Sequence, residues 1–254
     1  MQEPLDLHVD ERGVAALTLN RPKRANAFDA ALADALLLAV ERCAGERNLR
    51  LLIVQGNPRV FCAGIDIAWM KESGGATYDD NLRDARKMAR ILHGLRTMPV
   101  PVLAIVSGAA IGLGVGLAAA CDIAIGAETA KFRLSEVRLG IIPSVISPYM
   151  IDAIGERACR RYFLTAEEFS AQEALRLGLL HAVAAATDLP ALADRLTGEL
   201  LAGKPLAQHA AKDAIEHQRS PAISEALIEE TAKRLASVRR GAEAQDALAA
   251  FLKA

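Results

Sequence analysis

Aromatic residues make up only 4% of the 254 residues, and the four cysteines fall at 43, 62, 121 and 159 with no C-x-x-C pair. Four scattered thiols with no C-x-x-C pair point to a reducing compartment, and they are expected to be buried. His8, His93, His181, His209 and His217 show neither H-E-x-x-H nor another ligand spacing, so no metal is expected. A charge excess is also missing. The net charge of −1 gives no broad electrostatic reason to bind nucleic acid or an anionic membrane. The opening residues, MQEPLDLHVDERG, lack an apolar signal core, which makes a reducing cytoplasm the expected location. Tandem repeats and low-complexity tracts are absent. What the chain does have is apolar side chains, 52% of the total, enough for one large core.

The longest apolar stretch runs from Val100 to Asp122, VPVLAIVSGAAIGLGVGLAAACD, and holds no charge before its last residue. Its length is that of a membrane span. Pro99 and Pro101 around Val100, followed by β-branched Val102, Ile105 and Val106, argue instead for a buried strand. Gly108, Gly112, Gly114 and Gly116 then supply a tight turn, and Leu117 to Cys121 is expected as a short helix. A helix opening on such a turn presents unpaired N–H groups to an anion. The third glycine of a dinucleotide fingerprint is missing, since position 117 is Leu, and so is the Gly-Lys-Ser/Thr of a phosphate loop. An oxyanion forming on a bound carbonyl remains.

Taken in order, Leu5 to Asp10 and Val14 to Leu19 alternate as two strands of a hairpin. Arg21, Lys23 and Arg24 follow in a loop, and Asp29 is a suitable N-cap for a helix with an apolar stripe from Leu32 to Cys43. Leu51 to Gln55 reads as a buried strand. After Gly56-Asn57-Pro58, VFCAGIDIAWM ends an extended segment at Ala63-Gly64. Residues 71–80, with Gly74-Gly75, read as a mobile surface loop. Thr77 with Asp80, and Ser170 with Glu173, look like capping boxes. Ile123 to Gly126 and Lys131 to Phe132 are short strands, Ser147-Pro148 opens a helix with Gly155 at its end, and Leu179 to Ala184 returns as a strand. From Leu189 onward only helical patterns appear, punctuated at Gly203-Lys204-Pro205, Ser220-Pro221 and Gly241.

The combination of LNRPKRANAF, VFCAGIDI, SGAAIGLGVGLAAACDIAI, FRLSEVRLGIIP and GERACRRYFLTAEEFSAQEALRLGLLHAV resembles the crotonase, or enoyl-CoA hydratase/isomerase, superfamily. That resemblance implies an α/β fold: a ββα spiral core over residues 1–190 and a helical trimerisation region over 191–254. It implies a lyase with no permanently bound cofactor, a coenzyme A thioester as substrate, and a homotrimer or dimer of trimers. The thioester oxygen would be held by the backbone N–H groups of Ile65 and Leu113. Ala63, Gly64, Asp66 and Ile67 would line the thioester site, with Trp69 and Met70 along the acyl pocket. Arg24 and its neighbours would meet the phosphates, Ala25 and Ala27 the adenine, and Phe251 and Lys253 a neighbouring subunit's coenzyme A.

Two glutamates serve hydratases of this kind. One falls on Glu136 and the other on Gly116, which has no side chain. Beside Arg133 and Arg138, Glu136 could also be a strand-edge ion pair; with the resemblance it is expected to be the acid/base residue. The sequence looks most like the branch that hydrates methylglutaconyl-CoA or isohexenylglutaconyl-CoA in leucine and acyclic-terpene breakdown. Substrates of that branch carry a carboxylate, for which Arg83 and Arg86 are the nearest cations expected. Either that carboxylate or a water on the Gly116 backbone would position the nucleophile. A double-bond isomerase, and a non-catalytic acyl-CoA-binding homologue, are the alternatives.

Overall fold

The computed structural model describes residues 3–57, 59–217 and 223–253. The turn at Pro58 and the break at Ser220-Pro221 fall outside them. Strands β1 (Leu5–Val9) and β2 (Val14–Leu19) pair antiparallel as the expected hairpin, Leu5 opposite Leu19. A 3-10 turn at Pro22–Arg24 leads to helix α1 (Ala30–Gly45), whose first turn is capped by Asp29 accepting from the Leu32 N–H. Then come β3 (Leu51–Gln55), β4 (Val60–Cys62), α2 (Ile67–Gly75) and α3 (Tyr78–Arg96). The central stretch forms β5 (Val102–Val106), β6 (Ala109–Ile111) and α4 (Leu113–Ala120). After it lie β7 (Ile123–Ala127), β8 (Lys131–Arg133), a 3-10 turn at Glu136–Leu139 and α5 (Ser147–Thr165). The core closes with β9 (Glu168–Ser170), α6 (Ala171–Leu177) and β10 (Ala182–Ala184). The helices α7 (Leu189–Ala202), α8 (Pro205–His217), α9 (Glu225–Arg239) and α10 (Ala242–Phe251) complete the chain.

Each pass of the chain leaves one strand in each of two sheets. One sheet runs β1-β2-β3-β5-β7-β10 and the other β4-β6-β8-β9. From β2 to β10 the first sheet is parallel, as is β4-β6-β8 in the second. Parallel strands require crossovers: α1 links β2 to β3, α3 leads from β3 to β5, and α4 from β5 to β7. This is the expected ββα spiral. The β5 strand sits at the centre of the first sheet with Val102, Leu103, Ala104 and Val106 fully buried, so its apolar run is explained by protein on both faces. Among the described residues no helix is long and apolar enough to cross a membrane. All four cysteines are buried and free, and burial pushes the Cys62 and Cys159 thiols up to about 12.

Four local expectations need correction. The helix after the glycine turn begins at Leu113 rather than Leu117, because Gly114 and Gly116 lie within it. Residues 71–75 are helical and not a loop: α2 continues through Gly75. Ser147 lies inside α5, whose N-cap is Ile146. Gly155 does not end that helix but breaks it with φ 76° and ψ 159°, after which the chain turns helical again. The Thr77–Asp80 capping box is present in both directions, and Ser170 accepts from the Glu173 N–H.

The helices after residue 190 pack on their own chain. Leu189 and Ala193 of α7 join Leu51, Leu103 and Ile125 in a second apolar cluster on the outer face of the first sheet. Ile228, Ala232, Leu235 and Ala236 of α9 enter the main core, and α9 lies along α3. Helix α10 packs on α2 and on the 136–139 turn, with the Leu248 side chain about the Gly74 backbone.

Candidate active site

Two turns meet at the end of β4 and β6. Gly64 has φ +84° and a Cβ on it would lie 2.9 Å from the Ile111 carbonyl oxygen, so the turns touch only because position 64 has no side chain. The Phe28 N–H donates to the Gly64 carbonyl at 2.7 Å and the Asp66 N–H to the Phe28 carbonyl at 2.7 Å. That exchange skips Ile65, whose N–H has no acceptor among the described residues. The Gly112 N–H donates to the Arg133 carbonyl at 2.8 Å, and Leu113 opens α4, where a first-turn N–H has no intrahelical partner. Both turns line one cavity of about 450 Å³.

Glu136 lines the same cavity beside the second turn. Its carboxyl stands against Gly112, where a Cβ would come 2.9 Å from Oε1. Although the residue as a whole is half-buried, Oε2 is inaccessible to solvent and has no hydrogen-bond partner among the described residues. Burial pushes the carboxyl up to about 7, offset by its own backbone N–H. Neither Arg133 nor Arg138 contributes, so the strand-edge ion pair does not form. An unpartnered carboxyl poised near neutrality beside free amides is equipped to move protons.

Most of the remaining wall is apolar, with Met70, Met88, Leu139, Ile142, Val145, Ile146 and Leu235 facing the space, and Arg133, Ser135 and Arg138 complete it. Residues 139–146 and Leu235 were not singled out from the sequence. Nothing in a run such as LGIIPSVIS separates a cavity wall from ordinary core.

Ala63, Gly64, Ile65, Ile67, Met70, Leu113 and Glu136 therefore converge on one cavity. Others do not. Trp69 is buried outside the lining, and Asp66 is 6% exposed with its carboxylate spent on the Ala68 N–H at 2.9 Å and the Arg21 guanidinium at 3.2 Å. Arg21 also meets Asp29 at 2.5 Å and the Ala27 carbonyl, so it is a structural staple and not a free cation. Lys23 and Arg24 stay exposed. Ala25 (φ 49°) and Ala27 do not line the cavity, but the Ala25 carbonyl accepts from the Ala63 N–H at 3.0 Å and so fastens their loop to its rim. Gly116 is buried in α4 and does not line the cavity, and its N–H donates to the Gly112 carbonyl at 3.2 Å. A water held by that amide is excluded. Arg83 pairs with Asp80 at 3.0 Å and Arg86 with Glu229, and neither lines the cavity; the cations that do are Arg133 and Arg138. Lys253 is exposed beyond α10, and the Phe251 side chain lies outside the description.

A sequence profile described as enoyl-CoA hydratase/isomerase matches residues 10–253. The chain belongs to the enoyl-CoA hydratase/isomerase family. The 2,3-dehydroadipyl-CoA hydratase of Escherichia coli (strain K12) is 32% identical over 221 residues, 87% of this chain and 85% of that protein. An enoyl-CoA isomerase/hydratase of Mycosarcoma maydis, fer4, is 34% identical over 220 residues, 83% of this chain and 79% of its own. Among solved structures, an enoyl-CoA hydratase from Shewanella pealeana superposes with a TM-score of 0.83 at 36% identity, covering 98% of this chain and 93% of that one. This enzyme thus has the crotonase fold, and enoyl-CoA hydratase/isomerase family members act on coenzyme A thioesters.

Proposed function

We propose that this enzyme adds water across the 2,3 double bond of an enoyl-CoA, with Glu136 as its single acid/base group. One observation carries the reading: a carboxyl near pKa 7, with a buried and unpartnered oxygen, shares a partly open cavity with the two turns that carry the Ile65 and Leu113 amides. The amides of Ile65 and Leu113 are the oxyanion donors in this reading, each worth about 10²–10³ in rate. Ionised Glu136 takes a proton from water as the hydroxyl bonds to C3, the thioester oxygen carries the developing negative charge, and the same proton returns to C2. Water is added whole and the carboxylate is regenerated, so one carboxyl suffices.

The substrate in this reading is a branched glutaconyl-CoA, as in leucine degradation, handled in the cytoplasm by a homotrimer or a dimer of trimers. Lys23 and Arg24, fastened to the cavity rim through Ala25 and Ala63, are suited to the coenzyme phosphates. Ala27, Phe251 and Lys253 complete the coenzyme contacts proposed on resemblance. The region after residue 190 serves oligomerisation in addition to covering its own core.

The second reading is a double-bond isomerase, in which Glu136 moves one proton between C2 and C4. It is favoured by Ile146, whose side chain fills the space beside Gly116 and leaves the cavity without a second carboxyl. Absorbance of the conjugated thioester separates the two. Loss of absorbance from methylglutaconyl-CoA or another 2-enoyl-CoA supports hydration. Gain from a 3-enoyl-CoA, with no loss from any 2-enoyl-CoA, overturns it.

A further inference from the structure

The proton chemistry leaves two cations in the cavity wall without a task. Arg133 and Arg138 flank Glu136, and both line the cavity. Each leans on the C-terminal end of α5. Arg133 Nε donates to the Ala166 carbonyl at 2.9 Å and Arg138 Nη2 reaches the Thr165 carbonyl at 3.4 Å. Helix C-terminal carbonyls favour such cations and hold them in place. A guanidinium has five N–H donors, so each keeps most of its capacity, and Arg133 keeps both Nη groups.

No carboxylate among the described residues pairs with either arginine. Elsewhere in the chain Arg21, Arg86, Arg96, Arg161 and Arg176 each meet an Asp or Glu. Glu136 is not the missing partner, because a guanidinium on its carboxyl would hold it well below the usual carboxylate range, whereas it rises to about 7. The rest of the wall is aliphatic except for Ser135 and the turn backbone. Arg133 is half-buried and Arg138 is exposed at the cavity mouth, so an acyl chain ending in a methyl group would cover Arg133 without a counter-charge and leave Arg138 to water.

We propose that Arg133 and Arg138 receive a carboxylate at the far end of the acyl chain, making the site selective for coenzyme A thioesters of dicarboxylic acids over those of monocarboxylic acids. The inference rests on the acyl-CoA reading above and assigns the residues that choose the substrate class. Two planar guanidinium forks suit a carboxylate better than a point charge would.

Glutaryl-CoA and pentanoyl-CoA test this, since both are saturated five-carbon thioesters that cannot be hydrated and they differ by a terminal carboxylate against a methyl. Calorimetric titration of the full chain should give a preference for glutaryl-CoA of about 10- to 100-fold, the range of one to two charge-assisted hydrogen bonds. In the Arg133→Met/Arg138→Met variant the ratio of the two affinities should fall to near one, while Arg133→Lys should keep part of it. Equal binding by the unmodified chain, or a preference that survives the double substitution, overturns the proposal. Should the double variant fail to fold, the two single Lys variants and the salt dependence of the unmodified ratio decide in the same way. Selective binding of glutaryl-CoA by a chain that hydrates no enoyl-CoA would leave this inference standing and remove the hydratase reading. Hydration without the preference would do the reverse.

Discussion

The Ile146 side chain occupies the space that any side chain at Gly116 would need. A Cβ on Gly116 would lie 2.3 Å from Ile146 Cγ2 and 2.8 Å from its Cβ, closer than packed atoms approach. The two positions are therefore one steric unit: α4 can carry a carboxyl there only if the residue that opens α5 gives way. Gly116→Glu alone is expected to destabilise by about 1–3 kcal/mol through overpacking. That corresponds to a fall in Tm of roughly 2–4 °C per kcal/mol. Combined with Ile146→Gly it should cost less than the sum of the two single changes. Calorimetric melting of the four chains checks this, and additive losses would contradict the shared space.

Glu136→Gln should lower kcat by about 10²–10⁴ while thioester binding persists, because it removes the proton carrier and keeps the shape. In the unmodified enzyme the working form of the base is the carboxylate, whose pKa is about 7. So kcat/KM should rise with pH through about 7 and level off above it. A stopped-flow pH series measures this. A rate rising instead through the ordinary carboxylate range would place the base elsewhere.

The same shift has a stability consequence of opposite sense. Glu136 binds its proton more tightly folded than unfolded, so the contribution is fully present below about 4.5, the ordinary glutamate value, and is lost as pH rises through about 7. Thermal melting should show the Glu136→Gln variant gaining on the unmodified chain between pH 5 and pH 8. Parallel melting curves over that window would mean that the carboxyl is not desolvated.

Gly112→Ala tests the turn that faces the carboxyl. Its φ of +51° is costly for a side chain, by about 1–2 kcal/mol, and the new methyl would sit 2.9 Å from Glu136 Oε1. The expected result is a modest loss of Tm together with a larger loss of kcat than of affinity. The reverse split, weak binding with kcat intact, would mean that the carboxyl tolerates the displacement.

How much of this was legible depends on what each residue answers to. Capping at Asp29, Thr77 and Ser170 and the buried β5 strand are local signals, and each stands where the sequence places it. Helix α4 starts four residues before the sequence suggests, because Gly114 and Gly116 weaken helix propensity while close packing against Cys62 and Ile146 demands them inside the helix. The meeting of Glu136 with the two turns is expected only through the family resemblance, since locally Glu136 reads equally as a strand-edge ion pair with Arg133 or Arg138. The commitments of Arg21 and Asp66 could not be anticipated, since they lie 45 residues apart and their pairing is decided by tertiary packing. The same holds for Arg86 with Glu229, separated by 143 residues.

A last test concerns what holds the C-terminal helices over the cavity. Arg239, at the end of α9 and 3% exposed, donates through Nη1 to Asn81 Oδ1 at 3.2 Å, and its Nε has no partner among the described residues. Asn81 in turn donates to the Ser73 carbonyl at 3.0 Å and the Thr77 carbonyl at 3.2 Å, so a single amide ties α9 to the end of α2 and the start of α3. Helix α2 carries Ile67 and Met70 of the cavity wall, and α9 carries Leu235. Removing the amide leaves a buried guanidinium without its partner, whereas removing the guanidinium discards a charge that burial already penalises. Asn81→Ala should therefore cost about 1–3 kcal/mol, more than Arg239→Met, and should speed amide exchange in α2 and α9 together. Denaturant unfolding and hydrogen exchange measure both. Equal costs, or exchange that changes in only one of the two helices, would show that apolar packing and not this amide fastens them.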